Sequence, residues 1–95
     1  MAVEEVRCFL AEQKYVTAHG ASGELLIPDT LKELERELGE RFLRVHRNAL
    51  VALSYVTGLR RGEDGSWQVE LEGCAISPAV SRRHLAEVKQ RLLAR

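Results

Sequence analysis

RFLRVHRNALVAL, residues 41–53, is the stretch on which the reading of the whole chain turns. Phe42 to Val45 and Ala49 to Leu53 have the apolar, β-branched content of strands, and the residues between them are polar. Arg44, His46, Arg47 and Asn48 crowd into one short space where a core strand has no use for them. Two readings of that space stay open on chemistry alone. One is a solvated loop between strands. The other is a nucleic-acid contact, because an arginine presents a planar fork to guanine O6 and N7 or to phosphate, and an asparagine pairs two ways with adenine.

Working toward the N-terminus, Val6 to Glu12 and Tyr15 to His19 are rich in strand formers, and GASG at 20–23 is a turn into a third strand, Glu24 to Ile27. The period then changes. Leu31, Leu34 and Leu38 fall at i, i+3 and i+7, Thr30 and Glu33 have the spacing of a capping box, and Gly39 is a stop, which together predict a short helix. Its acidic residues Glu33, Glu35, Glu37 and Glu40 have the pattern of a solvated face. Beyond the opening stretch, Val56 to Leu59 reads as a strand, RRGEDG at 60–65 as a loop, and Trp67 to Leu71 as an alternating strand. Glu72 and Gly73 make a short turn into Cys74 to Ile76. Leu85, Val88 and Leu92 repeat at helical spacing, so the chain ends in a helix that begins between Ser77 and Arg82.

With 95 residues, 45% of them apolar and 29% charged, the chain has the size and composition of one folded domain. A formal net charge of zero excludes a protein that coats nucleic acid or lipid by bulk charge alone, but the charges are unevenly placed. From Ser81 onward Arg82, Arg83, Lys89, Arg91 and Arg95 face a single acidic residue, Glu87, whereas residues 24–40 hold six acidic residues against two basic ones, Lys32 and Arg36. Two arginines at the start of a helix oppose its dipole unless an anion meets them. Cys8 and Cys74 have no metal spacing and read as small buried hydrophobes in a reduced compartment. No metal or other cofactor is expected. No apolar run approaches the roughly 20 residues of a membrane helix and the N-terminus lacks signal-peptide features, so the expected location is cytoplasmic, with no membrane partner. Catalysis finds no support: the histidines at 19, 46 and 84 form no ligand pattern, and Ser81 with His84 reads as helix-start chemistry, not as a nucleophile and base.

Four ordered blocks go further. Ala11-Glu12-Gln13-Lys14-Tyr15-Val16, Thr30-Leu31-Lys32-Glu33-Leu34, Phe42 through Val51, and Val80-Ser81-Arg82-Arg83 together resemble the LytTR-type DNA-binding domain of bacterial response regulators. The HRNALVA form looks like the branch that includes an alginate regulator. The resemblance spans about Val6 to the C-terminus. It implies a mainly β, elongated, multi-sheet fold with a short acidic helix in the middle and a C-terminal helix, in which loops enter the major groove of double-stranded DNA. It implies base contacts from Lys14, Arg47 and Arg82, and phosphate or supporting contacts from Tyr15, Arg44, His46, Asn48, Ser81 and Arg83. It further implies paired half-sites bound by a dimer, and a receiver domain normally N-terminal to this segment.

Two departures qualify the match. The opening VEEVRCF matches a point after the family's usual first strand, as in an output domain excised from a longer regulator, and an uncovered sheet edge invites pairing with another chain. Ser77-Pro78-Ala79 lengthens the approach to Val80-Ser81. A β-domain interaction or dimerisation module that does not bind DNA is the alternative function. The acidic helix is expected to face away from the duplex.

Overall fold

The computed structural model describes residues 1–94; Arg95, counted above among the basic residues, lies outside them. Eight strands and two α-helices form two antiparallel sheets. The strands are β1 (Val6–Glu12), β2 (Tyr15–Gly20), β3 (Gly23–Ile27), β4 (Phe42–His46), β5 (Ala49–Ala52), β6 (Val56–Arg61), β7 (Trp67–Leu71) and β8 (Ala79–Val80). The helices are α1 (Leu31–Leu38) and α2 (Arg82–Ala94). The larger sheet runs β3-β2-β1-β5-β4 and the smaller β6-β7-β8. The molecule measures 32 × 27 × 24 Å, so the expected elongation is slight.

Strand alternation divides the core in two. Val6, Phe9, Val16, Ala18, Phe42, Leu50 and Ala52 turn toward α1 and bury Leu31 and Leu34. Cys8, Leu43, Val45, Ala49 and Val51 face the other way, onto Val56, Val69 and Leu71 of the smaller sheet and Val88 of α2. β1, β4 and β5 therefore bury apolar side chains on both faces of the larger sheet, which is why ALVA in β5 is a continuous apolar run and buried throughout. The expected helix at Leu31 is present with its box closed: the Glu33 amide donates to Thr30 Oγ1 at 3.1 Å and the Thr30 amide to Glu33 Oε1 at 2.9 Å. Gly39 ends it at a φ of 63°, a conformation glycine enters without strain. Thr30→Ala is expected to lower the melting temperature by roughly 4–8 °C, the scale of one lost cap in a domain of this size, as read by circular dichroism.

Several expectations need correction. Cys74 to Ile76 is not a strand: residues 72–78 are irregular, and pairing with β7 resumes only at Ala79. Pro78 has no amide to donate and contributes its carbonyl alone, which accepts from the Val69 amide at 2.9 Å. β5 ends at Ala52, and Leu53–Tyr55 is a 3-10 turn. Gly20 and Gly23 are paired strand residues, leaving only Ala21 and Ser22 as the turn. β6 extends through Arg61, so Arg60 and Arg61 belong to a strand and not to the loop. Cys8 is buried as expected, but Cys74 is only half-buried. Burial, with Cys74 close by, pushes the Cys8 thiol up to about 12, so it carries no thiolate at neutral pH.

Candidate nucleic-acid interface

The register of the larger sheet brings two turns to one end. β1 and β2 pair Glu12 with Tyr15 across the turn Gln13-Lys14, β4 and β5 pair His46 with Ala49 across the turn Arg47-Asn48, and Leu10 of β1 pairs with Ala49. The Ala11 amide donates to the Asn48 carbonyl at 2.9 Å, so the two turns are tied together. β3 ends there too, with Ile27 opposite Val16. The result is an open cleft lined by Lys14, Tyr15, Asp29, Lys32, Arg44 and Arg47, among others. Gln13 occupies the left-handed region at φ 55°, a modest strain that the tight turn imposes next to Lys14.

The turn after β4 is held from within. The Asn48 amide donates to His46 Nδ1 at 3.1 Å, which places the ring proton of neutral His46 on Nε2. Arg44 donates from Nε to the His46 carbonyl at 3.0 Å, from Nη2 to the Arg47 carbonyl at 2.9 Å and from Nη1 to Glu35 Oε1 at 2.8 Å. The β4–β5 register also shifts between Arg44 and His46, a bulge of the kind that re-aims side chains beside a site. Arg47 and Asn48 are left exposed at the tip.

Ser81 joins the third expected loop to this end of the sheet, because its amide donates to the Val45 carbonyl at 2.9 Å. It immediately precedes α2, its Oγ lies 2.6 Å from His84 Nδ1, and the His84 amide donates to its carbonyl at 3.0 Å. This is helix-start chemistry. Arg82 lines a second cleft, formed with Arg61, Asp64, Ser66, Trp67, Val80 and Leu85. The Trp67 ring there carries the Lys89 ammonium 4.8 Å from its centroid and the Arg61 guanidinium at 5.9 Å.

The structure thus brings Lys14, Tyr15, Arg44 and Arg47 around one cleft and sets Arg82 in a different one that shares none of its lining residues. Lys14, Tyr15, Arg47, Asn48, Arg82 and Arg83 are exposed, and His46 and Ser81 are partly so. Among the described residues, Lys14, Arg47, Arg82 and Arg83 enter no ion pair, so their charges are available to an external anion. Arg44 differs from these four: three of its N–H groups are directed at internal acceptors, the carbonyls of His46 and Arg47 and the carboxylate of Glu35. The first turn of the acidic helix borders the cleft through Lys32, and its Glu35 bonds Arg44. Lys32, Arg61 and Lys89 were not singled out by sequence reasoning. Lys32 stood in a mostly acidic segment, and nothing in the spacing of Arg61, Lys89 and Trp67 announces that two cations will flank one indole.

A two-sheet β domain with unpaired cations on two tied turns offers a surface for an anionic partner, and the comparisons define its class. The LytTr DNA-binding domain family model matches residues 1–93, and the chain belongs to that family, which is a DNA-binding domain and not an enzyme family. It is 48% identical over 89 residues to the positive alginate biosynthesis regulatory protein of Pseudomonas aeruginosa, an alignment covering 93% of this chain and 36% of that protein. It is 35% identical over 80 residues to the CO-responsive transcriptional regulator RcoM of Rhodospirillum rubrum, covering 83% of this chain and 34% of that one. The chain therefore spans about a third of the length of these curated relatives. A solved structure described as the LytTr DNA-binding domain of a putative methyl-accepting/DNA response regulator from Bacillus cereus superposes with a TM-score of 0.84 at 16% identity, covering 97% of this chain and 84% of that one, which shows a common fold. Among the described residues no helix is long and apolar enough to cross a membrane.

Proposed function

We propose that this domain recognises a specific double-stranded DNA sequence by inserting its loops into the major groove. The observation that carries this reading is the shared cleft of the two turns, where Lys14 and Arg47 stand unpaired at one end of a rigid sheet. Lys14 and Arg47 read base edges there, and Arg82 reads from the adjoining α2 start. Tyr15, His46, Asn48, Ser81 and Arg83 support or contact phosphates, which fixes register without specifying sequence. Two protomers on paired half-sites supply the affinity that one small surface lacks. By analogy with its regulatory relatives, the whole protein is a cytoplasmic transcription regulator, and its partner domain N-terminal to this segment is a receiver of a two-component system.

Selection of bound duplexes from a random pool tests the reading directly, and failure to enrich any motif removes it. Salt supplies a second check, because several phosphate contacts make affinity fall steeply with ionic strength. Arg83→Ala is expected to weaken binding about equally on selected and random duplexes and to make the salt slope shallower by roughly 1. An unchanged slope takes Arg83 out of the interface.

A further inference from the structure

We infer that Arg44 and Glu35 form a positioning pair that holds the Arg47 turn in its reading conformation, and that neither residue contacts DNA. The inference rests on the DNA-binding reading and assigns α1 a part in it. A guanidinium has five N–H donors in one plane. In Arg44, Nε and Nη2 are directed at the carbonyls of His46 and Arg47, the two residues leading into the tip, while Nη1 is directed at Glu35. The Arg47 carbonyl belongs to the two-residue turn and the His46 carbonyl to the strand end that leads into it, so donors directed at both hold the turn against rotation on its β4 side. Arg44 is 22% exposed and Glu35 46%, so the contact lies under the turn with its outer edge wet. One guanidinium thus spans from the helix to the backbone of the turn.

The arrangement carries a sign that simple charge does not. Glu35 is a negative charge beside a proposed DNA cleft, so electrostatics alone predicts that removing it strengthens binding to any duplex. Positioning predicts the reverse for the selected site, because a loosened turn no longer presents Arg47 to its base at the required geometry. Lysine at position 44 separates two further roles. It keeps the charge that a phosphate contact needs but has no planar fork to satisfy two carbonyls and a carboxylate together.

The test compares Glu35→Gln, Arg44→Lys and Arg44→Ala in the full 95-residue chain, titrated against the selected duplex and a random duplex over a range of salt. All three are expected to lower affinity for the selected duplex roughly tenfold, the scale of a lost charge-assisted hydrogen bond. Random-duplex affinity stays within about twofold and the salt slope does not change, since no phosphate contact is removed. Affinity retained by Arg44→Lys, with a shallower slope in Arg44→Ala, overturns the inference and makes Arg44 a phosphate contact. A gain on both duplexes in Glu35→Gln overturns it in favour of charge alone. The free protein supplies a readout that does not depend on DNA: the order parameters of the Arg47 and Asn48 amides fall in Glu35→Gln and Arg44→Lys while those of β5 do not. Unchanged order parameters overturn the positioning role even where no duplex is ever selected, whereas a loosened turn without a selected duplex leaves the pair intact and removes the DNA reading. The exchanged pair Glu35→Arg with Arg44→Glu is expected not to rescue, because a carboxylate at position 44 has nothing to donate to the two carbonyls.

Discussion

Arg47→Ala is expected to weaken binding to the selected duplex by roughly tenfold to a hundredfold, the range for losing one bidentate arginine contact to a base. Binding to random DNA should fall by far less. The difference follows from where the residue stands: at an exposed tip, its side chain in no ion pair, on a turn whose backbone is held by Arg44 and by the Ala11–Asn48 hydrogen bond. A side chain on so constrained a base loses little freedom on reaching a base edge, so most of its interaction energy is available for discrimination. Selection repeated with the variant should show relaxed preference at one or two positions of each half-site. Equal losses on selected and random duplexes would demote Arg47 to a phosphate contact. Because the side chain contributes nothing to either core cluster, the melting temperature should be unchanged within a degree or two.

The fold was largely legible because its signals are local. Thr30, Glu33 and Gly39 bracket α1 by chemistry that acts within four residues, and the structure closes that capping box as the spacing predicts. The alternating and continuous apolar runs mark seven of the strands, β1 to β7, to within two residues at each end, since burial on one or both faces leaves a pattern in the sequence. Cys74 to Ile76 failed for a related reason. A short apolar run satisfies the pattern for a strand, but pairing depends on which amides meet which carbonyls, and here the Val69 amide meets Pro78. The candidate site was legible through its residue types and their likeness to a family motif, not through geometry. Arg44, His46, Arg47 and Asn48 looked alike as polar residues of one loop, yet Arg44 turns inward and Arg47 stays exposed. The partner that decides this, Glu35, lies nine residues away on another element, and no periodicity links the two.

The other large effect is expected inside the sheet. Leu50→Ala should destabilise the domain by roughly 2–5 kcal/mol, the cost of removing a fully buried leucine and leaving part of its volume empty. Leu50 is fully buried, on the interior strand β5 between Phe9 of β1 and Arg44 of β4, in the cluster that receives Leu31 and Leu34. Hydrogen-bonded neighbours on both sides prevent β5 from sinking into the cavity, which places the expected loss toward the upper part of that range. Since a domain of this kind is stable by only about 5–15 kcal/mol, such a loss takes a large share of the total. Leu26→Ala is the matched control: the same atoms removed from edge strand β3, where the side chain is 63% exposed, should cost within about 0.5 kcal/mol. Urea denaturation distinguishes them, with the midpoint moving strongly for one variant and barely for the other at equal slope. A loss below about 1 kcal/mol for Leu50→Ala would mean that the two faces of the sheet can close over the gap. In that event β5 is too pliable to serve as the rigid support that the Arg47 turn requires, and the loop-reading proposal loses its structural basis.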